Sequence, residues 1–176
     1  MKPSFAIRHL TPPEPAELQQ LAALLLNAVE GGASVSFMWP LSLEQGLAFW
    51  QQVAAGVTRG ERVLLVAEDE QGICGTVQLV LAQPDNQPHR ADVAKMLVHR
   101  RARRHGLGEA LMLAVELLAQ QCGRTLLVLD TVTGGAAERL YARLGWERVG
   151  VIPDYALFPD GGLVATTVFY RRLGAR

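Results

Sequence analysis

Cysteine, lysine and long apolar runs are all scarce in this sequence of 176 residues. The two cysteines, Cys74 and Cys122, stand far apart and show no CxxC or other metal-ligand spacing. This pattern predicts two small buried thiols in a reducing compartment, and no metal site. Lysine occurs only at Lys2 and Lys95, so arginine supplies the other basic residues. Arginine suits contacts with phosphate groups, although codon usage would produce the same bias.

The composition also argues against several classes of protein. There is no run of about eighteen apolar residues, so no transmembrane helix is predicted. The first ten residues lack the apolar core of a signal peptide, and we expect a cytoplasmic protein. The formal net charge of +0 argues against a general nucleic-acid or membrane-surface binder. With 49% hydrophobic residues, the chain fits one globular domain spanning residues 1–176.

Hydrophobic periodicity and turn residues predict strands and helices in the order β-α-α-β-β-β-α-β-α-β-β. The predicted strands are residues 4–10, 61–68, 73–81, 90–98, 125–129, 146–151 and 165–171. The first predicted helix ends near Glu30, and the other three cover about 42–55, 106–121 and 136–144. The longer predicted loops are 33–41, 84–89 and 153–162.

The arrangement of these elements predicts the fold class. The run TLLVL at residues 125–129 is apolar throughout, which is typical of a strand buried on both faces beside a parallel neighbour. The unit from 90 to 130 should therefore be a right-handed parallel crossover. We predict an α/β fold with a mixed, mostly antiparallel sheet, a parallel crossover between the fourth and fifth strands, and helices on both faces.

The most informative segment is HRRARRHGLGE at residues 99–109, between a strand and a strongly amphipathic helix. Its arginines precede Gly106-x-Gly108, where the helix begins. A helix N-terminus offers free N–H donors, glycine permits close approach, and arginine adds charge, so the segment predicts a pyrophosphate site. On its own, a cluster of arginines is more often a solvent-exposed surface without a ligand, and it could also be a surface that binds nucleic acid. A dinucleotide-binding fingerprint fits less well, because Leu111 stands where its third glycine would be.

With two later segments, this motif resembles the signatures of the GNAT superfamily of acetyltransferases. Residues 103–108 (RRHGLG) match the pattern R/Q-x-x-G-x-G/A. Residues 94–98 (AKMLV) look like the pantetheine-binding strand, and residues 137–146 (AERLYARLGW) are similar to A-x-x-x-Y-x-x-x-G-F. One position departs from the family, because Gly134 replaces an asparagine that contacts the cofactor in many relatives.

The resemblance implies a GNAT-like fold and acetyl-CoA as co-substrate, without a metal. The main chain of the signature loop would hold the pyrophosphate, through Arg103, Arg104, His105, Gly106, Leu107, Gly108 and Glu109. The main chain of the fourth strand would pair with pantetheine, through Met96, Leu97 and Val98. Ala137 of the last motif belongs to the same implied cofactor site.

A narrower resemblance concerns the molecule that accepts the acetyl group. Residues 31–38 (GGASVSFM), residues 91–98 (ADVAKMLV) and the ending around PDG and Thr166 look like the tabtoxin-resistance acetyltransferase group. That likeness implies a small, amino-acid-like amine as substrate and a role in antibiotic or toxin resistance.

Acetyl transfer to an amine requires a base for the amine, donors for the developing oxyanion and an acid for the thiolate. Tyr141 is the candidate acid because of its place in the last motif; alternatively it is a core tyrosine. Asp92 and Asp130 are the candidate bases, since Asp92 interrupts an otherwise apolar strand and Asp130 ends the buried fifth strand. The carboxyl ends of strands are where ligands bind in open sheets. Alternatively, Asp130 caps a turn or helix, and Asp92 is a surface acid paired with Arg90 or Lys95.

The loop between the first two helices is the candidate acceptor pocket. Ser34, Phe37 and Trp39 could line it together with Tyr155, although plain packing of the loop onto the sheet would explain these residues equally well. The leading interpretation is a small-molecule N-acetyltransferase that works by direct attack in a ternary complex. The alternatives are a protein N-terminal or lysine acetyltransferase, a non-catalytic acyl-CoA sensor and a nucleic-acid module. A homodimer is left open, and no nucleic-acid or membrane partner is expected.

Overall fold

The computed structural model describes residues 5–174, and its elements follow the predicted order. Within these residues the strands are β1 (Ala6–Leu10), β2 (Arg62–Asp69), β3 (Gly72–Val80), β4 (Arg90–Val98), β5 (Leu126–Val132), β6 (Glu147–Leu157) and β7 (Leu163–Arg172). The helices are α1 (Pro15–Glu30), α2 (Leu43–Thr58), α3 (Leu107–Gln121) and α4 (Ala136–Arg143), with a 3-10 turn at Arg100–Ala102. Ser4, the first residue of the first predicted strand, lies outside the described residues.

The strands form a seven-stranded sheet in the order β1-β2-β3-β4-β5-β7-β6. Strands β4 and β5 are parallel, and each of the other neighbouring pairs is antiparallel. The predicted mixed sheet with a parallel fourth and fifth strand is therefore confirmed.

The sheet separates two hydrophobic cores, because successive strand residues face opposite sides. Val63 and Leu65 of β2 pack with the buried side of α3, whereas Leu64 and Val66 pack with α1 and α2. Helices thus cover both faces, as predicted. The start of α2 agrees with the predicted start near residue 42. The Gln45 amide donates to Ser42 Oγ at 3.1 Å, and the Ser42 amide donates to Gln45 Oε1 at 2.9 Å, which caps the helix.

Two predicted boundaries differ from the structure. Strand β6 continues to Leu157 and β7 begins at Leu163, so the first half of the predicted loop 153–162 is strand. Strand β6 forms one edge of the sheet and its residues are almost all exposed, so hydrophobic alternation gave little signal there. Strand β5 extends past residue 129 to Val132, because β7 pairs with it over that length.

No helix among residues 5–174 combines the length and the apolar character that crossing a membrane requires. The same described range contains no group of three His, Cys, Asp or Glu side chains arranged to hold a metal ion.

Candidate active site

A cleft opens where β4 and β5 part. The two strands pair only from Arg90–Asp92 to Leu126–Val128, after which β4 pairs with β3 alone and β5 with β7 alone. The inner edges of both strands therefore turn their main-chain N–H and C=O groups toward the gap. The resulting cavity has a volume of about 1140 Å³ and reaches from the start of α3 to the loop after α1.

A β-bulge shapes the β4 wall of this cleft. Thr76 of β3 lies opposite Leu97 and Gln78 lies opposite Ala94, so two β4 residues face the single β3 residue between them. Lys95, one of the two, has a left-handed backbone with φ of 50°. The extra residue reverses the alternation of side chains, and Val93 and Leu97 consequently belong to different cores.

The loop before α3 forms the basic end of the cleft. Gly106 caps the helix with φ of 81°, a left-handed conformation that suits glycine. The Ala110 amide donates to Gly106 O at 3.0 Å, and within residues 5–174 no acceptor is found for the amides of 104–109. These free donors and the side chains of Arg103 and Arg104 give this end the features of an anion site.

Gly108 packs the same helix start tightly against its neighbours. A Cβ atom at this position would lie 3.1 Å from Leu140 Cδ2 and 3.9 Å from the Met96 side chain, whereas a Cβ at Gly106 would meet nothing within 4 Å. The helix start therefore lies close to both α4 and β4, and the loop above it is open. Free amides, an open glycine and nearby guanidinium groups fit the pyrophosphate of a nucleotide cofactor such as CoA.

The arginines at residues 100–104 divide into two groups by their surroundings. Arg101 donates two hydrogen bonds of 3.0 Å to Asp69, and this pairing lowers the pKa of the Asp69 carboxyl. Arg100 pairs with Glu30 of α1. These two arginines tie the turn to the rest of the protein. The cleft is lined instead by Arg103 and Arg104, together with Arg139 and Arg143 of α4, which sequence reasoning missed.

Tyr141 lines the cleft from α4 and is only 5% exposed. Its ring centroid lies 6.0 Å from those of Trp146 and Phe169. No side chain or main-chain group within residues 5–174 forms a hydrogen bond with its hydroxyl. Burial raises the pKa of Tyr141 well above its usual range, and the charge of Asp130 raises it further. The phenol therefore keeps its proton at neutral pH and can donate it.

Asp130 lies on β5 just beyond the last pair with β4, and it lines the cleft. Its Oδ2 atom accepts a hydrogen bond of 2.7 Å from Thr166 Oγ1 of β7. Thr166 thus orients the carboxylate, a contact that depends on the pairing of β5 with β7.

Lys95 is a cleft residue that sequence reasoning did not assign to the site. Its Nζ atom donates to Ser36 Oγ at 2.9 Å and lies 5.8 Å from the centroid of the Phe49 ring. Burial lowers the pKa of Lys95, and the nearby Asp130 charge opposes that shift. A single lysine in an apolar strand would have been the available signal.

Three of the four residues predicted to line the acceptor pocket line the cleft. Ser34, Phe37 and Tyr155 line the cleft, and Ser34 Oγ donates to Leu157 O at 2.7 Å, joining the loop after α1 to β6. Trp39 is 47% exposed and lies outside the lining, although its amide donates to Pro159 O at 3.0 Å.

Most of the predicted cofactor residues line the cleft. They are Met96, Leu97, Val98, Arg103, Arg104, Gly106, Leu107, Gly108, Glu109 and Ala137. His105 is exposed and lies outside the lining. Gly134, at the family's asparagine position, donates its amide to the Glu138 carboxylate.

The structure places Asp92 away from the cleft. This residue is in the part of β4 that still pairs with β5, and its carboxylate accepts from Arg90 and from Gln83 Nε2, the latter at 3.1 Å. The arrangement agrees with the alternative of a surface acid paired with Arg90, and Asp92 takes no part in the chemistry proposed below.

Comparison with known proteins identifies the class that this cleft serves. Residues 60–148 match the family described as acetyltransferase (GNAT) domain, and the chain belongs to that family. The matched region contains β2 to β5, α3, α4 and the free amides of the basic loop.

Solved structures show the same fold over nearly the whole chain. The protein yncA from Salmonella typhimurium, whose structure contains acetyl-CoA, is 20% identical with a TM-score of 0.79, covering 98% of this chain and 96% of that one. A GNAT-family acetyltransferase from Streptococcus pneumoniae is 22% identical, with a TM-score of 0.77 and coverage of 97% and 100%. A ribosomal-protein-alanine N-acetyltransferase from Brucella melitensis is 23% identical, with a TM-score of 0.80 and coverage of 96% and 99%.

Proposed function

We propose that this protein is an N-acetyltransferase that moves an acetyl group from acetyl-CoA to a primary amine of a small, amino-acid-like molecule. The observation that carries the proposal is the single cleft that joins free amides and arginines at one end to Tyr141 and Asp130 at the other. The first end suits a pyrophosphate and the second suits proton transfer.

Acetyl-CoA, when bound, supplies the activated acetyl thioester. The amides of 104–109 and the arginines nearby would hold its pyrophosphate, and the free edge of β4 around Met96–Val98 would pair with its pantetheine arm. The fit of these groups rests on the open conformation at Gly106 and the absence of competing acceptors among the described residues. The Gly134 amide is already engaged by Glu138, so we expect main-chain contacts to dominate binding.

Three groups of the chain would then carry the transfer. The Asp130 carboxylate takes a proton from the acceptor ammonium, directly or through water, so that the nitrogen lone pair can form the new C–N bond. A main-chain N–H of β4 beyond the divergence stabilises negative charge on the carbonyl oxygen. Tyr141 would donate its hydroxyl proton to the CoA sulfur as the C–S bond breaks, because the sulfur leaves more readily as a neutral thiol than as a thiolate. The proton held by Asp130 balances the proton lost by Tyr141.

The acceptor end of the cleft favours a small molecule over a protein. Hydrogen bonds from Ser34 and Trp39 join the loop after α1 to the β6–β7 hairpin, and Phe37 and Tyr155 lie on the two sides. A folded protein substrate requires an open groove instead. The name of the Brucella melitensis structure keeps protein N-terminal acetylation as a second candidate, but identity of 23% shows only a common fold.

The narrower assignment rests on sequence alone. Likeness of residues 31–38 and 91–98 to the tabtoxin-resistance group supports an amino-acid-like acceptor and a role in detoxification. We propose that the protein acts on such metabolites in the cytoplasm, either as a monomer or as a homodimer. A growth test of cells that express the protein, in the presence of an amine-bearing toxin, would examine the resistance role.

The test of function is a thiol-release assay with acetyl-CoA and a panel of amino acids, dipeptides, polyamines and N-terminal peptides, alongside calorimetric titration of CoA. Turnover on amino acids or dipeptides supports the proposal. Turnover confined to longer peptides supports the protein acetyltransferase, and CoA binding without any turnover supports the sensor. If CoA does not bind, the assignment of the cleft is refuted.

A further inference from the structure

Lys95 is a half-buried cation that lines the cleft, and none of the ion pairs among residues 5–174 includes it. Within the described range 5–174, no Asp or Glu forms an ion pair with its Nζ atom, whereas Arg8, Arg90, Arg100 and Arg101 each have one. The partners of Lys95 are the neutral Ser36 hydroxyl and the face of the Phe49 ring. Neutral partners compensate a half-buried charge only in part, so the site favours binding of an anion.

The backbone directs this side chain toward the acceptor end of the cleft. The β-bulge puts Lys95 in the left-handed region, which residues other than glycine, asparagine and aspartate seldom adopt. Its neighbour Met96 packs on the α3 side, where the cofactor loop lies. Lys95 reaches the opposite side, where Ser36 and Phe49 lie. Such conformations persist where the surrounding structure and the function of a site require them.

Asp130 is the complementary charge on the other wall of the same cleft. It faces the cavity from β5, and its field acts on Lys95, yet the two groups are not close enough to form an ion pair. Two opposite charges held apart around one cavity match a molecule that carries an ammonium and a carboxylate together. The apolar side chains of Phe37, Met38 and Tyr155 leave room for the remainder of such a molecule.

We propose that Lys95 binds the carboxylate of the acceptor while Asp130 receives its amine, so that the substrate class is free amino acids or short peptides with a free carboxylate near the reacting amine. This inference rests on the proposed function, and it adds the residue that selects for the carboxylate.

Two simpler roles for Lys95 make different predictions. If Lys95 only ties the loop through Ser36, its loss impairs every acceptor by a similar factor. If Lys95 takes part in proton transfer, its loss again lowers all rates alike and changes the pH profile. Only recognition of a carboxylate makes the loss depend on whether the acceptor has one.

The experiment compares kcat/KM for the best acceptor found among the common L-amino acids and dipeptides with kcat/KM for its carboxamide. It uses the wild type, Lys95→Met, Lys95→Arg and Ser36→Ala. For each enzyme, kcat/KM for the acid is divided by kcat/KM for the amide, and this ratio is compared between the wild type and the variants. The comparison cancels the different intrinsic reactivity of the two amines. Ser36→Ala is the matched control, because it removes the hydrogen bond of Lys95 but keeps its charge. Thermal unfolding and CoA titration establish that each variant is folded.

We expect Lys95→Met to lose about 10- to 100-fold on the acid and about 2-fold or less on the amide, in line with a charged hydrogen bond. Lys95→Arg and Ser36→Ala should keep the preference for the acid. Equal losses on both acceptors would overturn the inference, and so would a wild type that uses acid and amide equally well, whether or not the variants fold. These results leave acetyl transfer itself intact. Absence of turnover with every amine would instead overturn the proposed function and this inference with it.

Discussion

The substitution Tyr141→Phe separates catalysis from packing, because it removes one oxygen atom and keeps the ring. The ring is buried against Trp146 and Phe169, and these contacts remain in the variant. The hydroxyl has no hydrogen-bond partner within residues 5–174, so no other protein group is left unsatisfied. We therefore expect the free energy of unfolding to change by less than about 0.5 kcal/mol.

The effect on turnover should be much larger. A positioned general acid contributes roughly 10²- to 10⁴-fold to a rate, which corresponds to about 3–5 kcal/mol of activation free energy. We expect kcat to fall within that range while the affinity for CoA stays near that of the wild type. Because burial and the Asp130 charge raise the pKa of Tyr141, the hydroxyl stays protonated throughout an assay from pH 7 to about pH 9. Loss of that proton should therefore add no alkaline limb to the pH profile of the wild type.

The assay is thiol release under saturating acetyl-CoA, combined with chemical unfolding and calorimetric titration of CoA. Tyr170→Phe is the matched control, since the Tyr170 hydroxyl donates to Glu147 on the sheet edge and lies outside the cleft. This variant should keep wild-type activity. A Tyr141→Phe enzyme within about threefold of wild-type kcat would refute the acid role. A large loss accompanied by equal loss of CoA affinity would assign the effect to binding.

Further predictions concern stability and thiol reactivity. Gly106→Ala should lower the free energy of unfolding by about 1–2 kcal/mol because of its left-handed φ of 81°, whereas Gly150→Ala, which has ordinary φ and open space, should be nearly neutral in chemical denaturation. Leu111→Ala, at 0% exposure in the α3 core, should cost about 2–5 kcal/mol in the same measurement, and a cost below about 1 kcal/mol would contradict the packing described here. Burial raises the pKa of Cys74 to about 11, so a thiol reagent at pH 8 should modify Cys122 in the native protein and Cys74 only after unfolding.

The order of strands and helices could be predicted because most of these elements have one buried face, and their hydrophobic residues therefore recur at a clear spacing. The β6 edge is the exception. Its residues are exposed on both sides and its pairing with β7 is interrupted by register shifts, so its end at Leu157 depends on β7 and not on its own pattern.

The residues that line the candidate site could be predicted where they belong to a motif, and could not be predicted where tertiary pairing decides their position. Gly106 and Tyr141 are local features of their motifs, and both line the cleft. Asp92 and Asp130 are equally plausible in sequence, because each is an acid in or after an apolar strand. What separates them is the point at which β4 and β5 part, just after Asp92 and just before Asp130. No local pattern encodes that point.

Lys95 shows a second reason why sequence periodicity falls short at functional sites. Strict alternation would put Lys95 on the α3 side, together with Val93. The bulge adds one residue, and the lysine instead reaches Ser36 beyond the opposite face. A bulge with lysine in the left-handed conformation lacks the glycine or asparagine that usually signals one, so the sequence does not reveal it.

The parting of β4 and β5 and the bulge together explain how one cleft can serve two ligands from opposite faces of the sheet. The parting opens a passage through the sheet, with the helix starts of α3 and α4 on one side and the loop after α1 on the other. The bulge then gives adjacent residues to the two sides, Met96 toward Gly108 and Lys95 toward Ser36. Deleting one residue at the bulge would restore regular pairing with β3 and turn either Lys95 or Met96 to the wrong side. The bulge is thus a requirement of the proposed site, because it would let a single strand contact the cofactor and the acceptor at the same level of the sheet.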